Sequence, residues 1–143
     1  DDSPRVRVAA IQGACRMLSV YWEMIPKKAI VSLMSMLVGE LLHDSSSPRV
    51  REAVLKGLEF ISENPLAQNA LSDVLPHVSP FIHDQSKLVR NALVSLLLRV
   101  RTISSIRFYD VVPVDHLLER LALDEQLGVK LTKLLQDSFF PQN

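Results

Sequence analysis

Glycine is scarce in this chain, four residues in 143. So few argue against a strand-and-turn architecture, and they leave no glycine-rich loop that could cradle a phosphate. Cysteine is scarcer still. Cys15 has no second thiol to pair with, so an internal disulfide is excluded. The stretch around it, AIQGACRML, reads as a buried helix face with Cys15 as a small core residue. A lone thiol of this kind fits a reducing compartment, cytosol or nucleus. No apolar run approaches the roughly 18 residues that a membrane span needs. Neither charge is in excess, since sixteen basic residues cancel sixteen acidic ones. A dedicated nucleic-acid module carries a basic surplus, so only a local basic stripe fits this balance. The opening DDSPRVRV places acids and arginines where a signal peptide needs apolar residues. It passes directly into a helix-start pattern, which sets the expectation of a slice from a longer chain.

What is present in quantity is apolar side chain, 48% of the residues, and that excludes a disordered tail. The length suffices for one domain with a core. The apolar residues carry an internal repeat. It reads DDSPRVRVAA at Asp1, DSSSPRVREAV at Asp44, DQSKLVRNAL at Asp84 and DEQLGVKLTK at Asp124. The shared kernel is Val-Arg/Lys-x-Ala/Thr, and its valines, Val6, Val50, Val89 and Val129, are 44, 39 and 40 residues apart. Four copies in register, each followed by leucine-rich helical periodicity, match the two-helix HEAT and armadillo class, whose period is about 40–47 residues.

Each unit has the same grammar: a first helix (A) ends at an aspartate, a short turn follows, and a second helix (B) starts on the Val-Arg kernel. Ser3-Pro4 and Ser47-Pro48 are helix starts, with serine at the cap and proline at the first helical position, where its missing N–H costs nothing. Ser86 takes that place in the third unit and Gln126 in the fourth. The expected architecture is all-α, an α-solenoid of about three and a half antiparallel helix pairs. It has a B helix over 4–21 and repeats over 26–63, 65–103 and 113–139. Within these, A helices run from Pro26 to His43, Pro65 to His83 and Pro113 to Ala122; B helices run from Pro48 to Glu63, Lys87 to Ile103 and Gln126 to Phe139. Pro76 and Pro80 should kink or divide the helix that contains them. Residues 104–112 form a longer connector.

The most regular polar residues are Arg7, Arg51, Arg90 and Lys130, one place after each kernel valine, and the turn aspartates Asp44, Asp84 and Asp124. Stacking brings each cation near an adjacent unit's aspartate. They read as a ladder that sets repeat-to-repeat register, with direct phosphate or peptide contact as the alternative. Arg5, Arg49 and Lys87 open successive B helices, and Arg99 and Arg101 lie near the end of one. On B helices lining a concave face, one interhelical spacing of about 10 Å apart, such residues can track a phosphate backbone or a partner. The alternative is a solvated face, because Glu52, Glu59 and Glu63 share a B helix with Arg49. His43-Asp44 and His83-Asp84 repeat at helix C-termini, where a partly protonated imidazole suits the dipole. No His-x₃-His spacing or Cys/His cluster exists, so the expected metal ligands and cofactors are none. Trp22, Tyr21, Met17, Met24, Met34 and Met36 read as core packing at the first junction between units, with a partner peptide docking there as the alternative. Phe108, Tyr109, Phe139 and Phe140 read as wedges. No Walker motif, Gly-x-Ser-x-Gly or pair of carboxylates in a repeated or isolated apolar setting is present, so no catalytic residue, enzyme activity or small-molecule substrate is expected.

Two stretches are more specific than the repeat. IRFYDVVPVDHLLERLALD (Ile106 to Asp124) with VKLTKLLQDSFFP (Val129 to Pro141), and DSSSPRVREAVLKGLEFISENPLAQ (Asp44 to Gln68), resemble the kleisin-associated HEAT-repeat subunits of the condensin II complex. The resemblance implies a nuclear, chromosome-associated scaffold in mitotic chromosome condensation. It implies a kleisin partner, indirect association with structural-maintenance-of-chromosomes ATPases, and double-stranded DNA as a further contact. A generic adaptor of another class shares the period: a transport receptor, phosphatase scaffold or coat subunit. The single tryptophan, Trp22, disfavours an armadillo transport receptor, which needs a recurring Trp-x-x-x-Asn array.

Overall fold

A computed structural model describes residues 3–139. Asp1, Asp2 and Phe140 lie outside the described residues, and so does the side chain of Phe139. Among the described residues the chain is all-α, with no strand. The α-helices are α1 (Pro4–Tyr21), α2 (Lys27–Gly39), α3 (Pro48–Ile61), α4 (Gln68–Val74), α5 (Lys87–Val100), α6 (Phe108–Val111), α7 (Val114–Leu123) and α8 (Gly128–Phe139). Short 3₁₀ segments join several of them.

The starts of α1, α3 and α5 are set by serine. Ser3 Oγ accepts from the Val6 amide at 3.4 Å, Ser47 Oγ from Val50 at 3.3 Å and Ser86 Oγ from Leu88 at 3.2 Å. Each bond satisfies one of the N–H groups that a first helical turn leaves orphaned. The fourth unit differs from expectation. Gln126 does not cap; it lies inside the 3₁₀ turn Glu125–Leu127, whose cap is Asp124, and α8 starts only at Gly128. A carboxylate reaches the amide three residues on, which the longer glutamine side chain does less well.

Prolines account for one of the other departures. The segment expected as one helix from Pro65 to His83 divides into a 3₁₀ turn Pro65–Ala67, then α4, then a 3₁₀ segment Leu75–His83 that holds Pro76 and Pro80. Two prolines four residues apart remove two ladder donors, and the tighter helix tolerates the loss. The α-helical part of Pro26–His43 ends at Gly39, followed by a 3₁₀ turn Leu41–His43. Within residues 104–112, α6 forms one helical turn, with Phe108 buried and Tyr109 half in water.

The helices lie in two rows. In one, α1 packs on α3, α3 on α5 and α5 on α8; in the other, α2 meets α4 and the Leu75–His83 segment meets α7. One apolar cluster runs through both rows, from Ile11 to Leu135. The central helices α3 and α5, flanked on both sides, each bury eight residues, as a helix between two neighbours must. No helix among the described residues is long and apolar enough to cross a membrane.

The cluster at the first junction is only partly core. Met34 is buried and Trp22 half-buried, but Met24 is 79% exposed and Met17, Tyr21 and Met36 are exposed too. Ile11, Cys15 and Leu18 follow the three-to-four residue spacing of α1's packed face, and Met17 and Tyr21 fall outside it. Cys15 sits where α1 packs against Gly57 of α3. Burial pushes its thiol up to about 11. A Cβ added at Gly57 would collide with Cys15 Sγ.

The Gly57–Cys15 contact yields a test. Gly57→Ala gains about 0.5–1 kcal/mol of helix propensity but overpacks the junction at a cost of about 1–3 kcal/mol. The net expectation is a loss of about 1 kcal/mol, smaller in a Cys15→Ala background. Chemical denaturation of the four chains measures it; equal losses in both backgrounds would refute the contact. Cys15 in the native chain should also resist alkylation at pH 8 and react after denaturation.

Candidate functional site

Three arginines of the kernel each reach the following turn. Arg7 Nη2 lies 3.1 Å from Asp44 Oδ2, Arg51 Nε 2.9 Å from Asp84 Oδ2, and Arg90 Nε 2.7 Å from Asp124 Oδ2. Arg51 is bidentate, with Nη2 donating to Asp84 Oδ1 at 3.0 Å. Two of them also grip their own turn: Arg51 Nη1 donates to the Asp44 carbonyl and Arg90 Nη1 to the Asp84 carbonyl, both at 2.6 Å. The aspartates in turn shape the backbone. Asp44 Oδ1 accepts from the Ser46 amide at 2.9 Å, Asp84 Oδ1 from the Ser86 amide at 2.8 Å, and Asp124 Oδ1 from the Leu127 amide at 3.4 Å. In Asp44 and Asp124 one carboxylate oxygen folds the turn and the other holds the neighbour, while in Asp84 Oδ1 does both and Oδ2 also accepts from Arg51. Lys130, the fourth cation of the series, turns back to neutral acceptors, Asn91 Oδ1 at 2.8 Å and Ser95 Oγ at 3.0 Å.

Burial makes these rungs matter. Arg90 and Asp124 are both buried, and the Arg51 and Asp84 side chains are 12% and 8% exposed. Burial by itself raises the Asp124 carboxyl. The Arg90 N–H, the Leu127 amide and the charges of Arg90 and Arg120 outweigh it and hold the carboxyl below the usual carboxylate range. Asp44 is also held low, first by the Ser46 hydroxyl and, against slight burial, by the Ser46 and Ser47 amides and the Arg7 charge.

The less regular cations fall in two places. Arg5, Arg49 and Lys87 are exposed at the N-termini of α1, α3 and α5, and the rungs bring those termini side by side. Arg49 is tethered to Glu52 at 3.4 Å, and Glu52 also takes Lys56 at 3.4 Å. Arg99 and Arg101 lie at the other end of α5, about 18 Å from Lys87 along the helix axis. Arg99 is exposed, while Arg101 Nη1 donates to the Lys133 carbonyl at 2.9 Å and ties α5 to α8. The five do not form one stripe.

The fold gathers a group that contiguous spacing does not disclose. His83 Nε2 lies 3.2 Å from His116 Nδ1 and 3.7 Å from Glu119 Oε2, and its Nδ1 lies 3.0 Å from Arg120 Nη2. The only hint in the sequence is that His116, Glu119 and Arg120 share one side of a helix; His83 comes from 33 residues earlier. His43 ends its own 3₁₀ turn in a comparable way, edge-on to Phe81 at 5.4 Å.

Asp124→Ala should cost about 3 kcal/mol at pH 7, because it leaves Arg90 buried without its partner. A carboxyl held low in the fold contributes stability above its unfolded value of about 4 and loses it as pH falls through the folded value. The gap between native chain and variant should therefore close as the pH drops below about 4. Urea midpoints at pH 7, 4 and 3 measure it; a gap independent of pH would mean the carboxylate charge is irrelevant.

No family model matches the chain, and no solved structure matches it. Curated proteins do. The chain is 37% identical over its whole length to the G2 subunit of the condensin-2 complex of Homo sapiens, 38% to that of Mus musculus and 35% to that of Xenopus laevis. It spans 12–13% of the length of these relatives. Identity at this level over all of its residues is not chance similarity: the chain is homologous to one stretch of the condensin-2 complex G2 subunits.

Proposed function

We propose that the chain is a non-enzymatic HEAT-type α-solenoid segment that serves as a scaffold in a condensin II complex. The observation that carries this reading is the repeated rung. An arginine bonded to its own turn's carbonyl and to the next turn's carboxylate recurs in successive units, and such one-step coupling is how stacked repeats hold register. The two rows of helices and the condensin-2 relatives support it. The work of the complex is the condensation of mitotic chromosomes in the nucleus. The segment's part is to hold a kleisin partner, and through it the structural-maintenance-of-chromosomes ATPases, and to contact duplex DNA.

The DNA contact is assigned to Arg5, Arg49 and Lys87, with Arg99 as a separate contact and Arg101 engaged in packing. No acidic residue occupies the first turn of α1, α3 or α5. The positive ends of three helix dipoles therefore add to the three cations, and a phosphate chain crossing those termini meets Arg5, Arg49 and Lys87 in succession, with Arg49 released from Glu52 to reach it.

Two measurements test the reading. The full chain should bind duplex DNA with an affinity that falls as salt rises, and Arg5→Glu/Arg49→Glu/Lys87→Glu should flatten the log K against log[salt] slope by about 1 per lost contact. A wild-type slope near zero removes DNA from the proposal. In a full-length subunit, deleting this segment should abolish capture of the kleisin; undiminished capture removes the kleisin.

A further inference from the structure

We infer that His83, His116 and Glu119 form a zinc site that clamps the Leu75–His83 segment to α7. The ligand atoms of the three lie within 4.8 Å of one another. Zinc bound to imidazole nitrogen and carboxylate oxygen at about 2.0–2.1 Å sets its ligands about 3.4 Å apart at the corners of a tetrahedron. The two measured edges, 3.2 Å from His83 Nε2 to His116 Nδ1 and 3.7 Å from His83 Nε2 to Glu119 Oε2, bracket that value. The donors come from two elements. His83 is the last residue of its 3₁₀ segment, while His116 and Glu119 stand three apart on α7 and so project from one side of it. Two imidazoles with one carboxylate suit zinc rather than magnesium or calcium, which prefer all-oxygen shells. The fourth position is left to water. His116 and Glu119 are exposed and His83 half-buried, so the ion enters from solvent.

Arg120 opposes the metal, and its position gives the site its signature. A guanidinium only donates, so the 3.0 Å contact makes His83 Nδ1 an acceptor and puts the ring proton on Nε2, facing His116 Nδ1. To ligate through Nε2, His83 must carry its single proton on Nδ1 instead, and Arg120 must turn away. Zinc and the Arg120–His83 bond therefore exclude one another. The ion exchanges one tie between the segment and α7 for a stronger one.

The test is a calorimetric titration of the full chain with zinc chloride in a non-chelating buffer, beside a thermal melt. One saturable site and a raised Tm are expected, with 1 mM magnesium ineffective. His116→Ala and Glu119→Gln, both at exposed positions, should weaken zinc about tenfold or more while circular dichroism stays unchanged. Arg120→Gln should tighten it about tenfold, since glutamine removes the positive charge and offers Nδ1–H an acceptor. A general surface affinity for zinc would not respond in that direction. No saturable binding, binding indifferent to His116→Ala, or binding unchanged or weakened by Arg120→Gln would each overturn the site.

Discussion

The arginine that spans two turns is the constraint on which the rest of the arrangement depends. Arg90 carries a buried positive charge, and burying an ion costs several kcal/mol unless its donors are met. The Asp84 carbonyl and the Asp124 carboxylate meet them from opposite sides. Those partners belong to different turns, so the requirement to satisfy one side chain fixes the distance between neighbouring units. Arg51 does the same between Asp44 and Asp84. A planar fork presents its N–H groups in a fixed geometry that meets a carboxylate and a carbonyl together. The lysine at the fourth place, a point charge on a flexible stem, settles instead on a neutral amide and a hydroxyl. The rungs also explain why the turns look alike. Each aspartate must hold a nearby backbone amide while it also meets the neighbouring unit's arginine, which restricts both its rotamer and the residues after it.

That constraint sorts the cations by role. The arginines at the recurring place after the kernel valine are consumed inside the stack, with their charges matched and little surface left. The neighbouring cations, two or three places earlier at the helix starts, face outward because the ladder does not need them. Their proximity to one another is nonetheless a by-product of the ladder, since the rungs align the helix starts that carry them.

The repeat, the serine-capped helix starts and the burial of α5 are legible in the sequence, because each depends on residues a few places apart. Pro4 and Pro48 sit where a proline favours a helix, and Leu93, Leu96, Leu97 and Val100 keep the helical spacing. Pro76 and Pro80 announce a break but not its form, which depends on how the segment's remaining N–H groups find partners. Alignment with Ser47 and Ser86 makes Gln126 look like a cap, but alignment ignores side-chain length, and Asp124 has the better reach. Met17, Tyr21 and Met24 look like core by their apolar type, yet angular position on the helix decides burial and places them outside. The His83–His116 contact leaves no pattern in the sequence, since nothing in a single chain pairs residues 33 apart until the stacking distance is known.

That stacking distance recurs in the side-chain bonds of the whole chain. Arg51 to Asp84 spans 33 residues and Arg90 to Asp124 spans 34. Ser19 reaches the Phe60 carbonyl across 41, Asn64 the Ser19 carbonyl across 45, and Arg101 the Lys133 carbonyl across 32. Each is a step of one unit, so the polar bonds couple nearest neighbours, as the packing of α1 on α3 and α3 on α5 does. Stability in such a stack is close to a sum over junctions. A disturbance at one junction is felt at the next and fades beyond it. This locality has a mechanical meaning. The junction angles are set separately by their own rungs, and small changes at several of them add up to a large displacement between the ends without any single junction having to break.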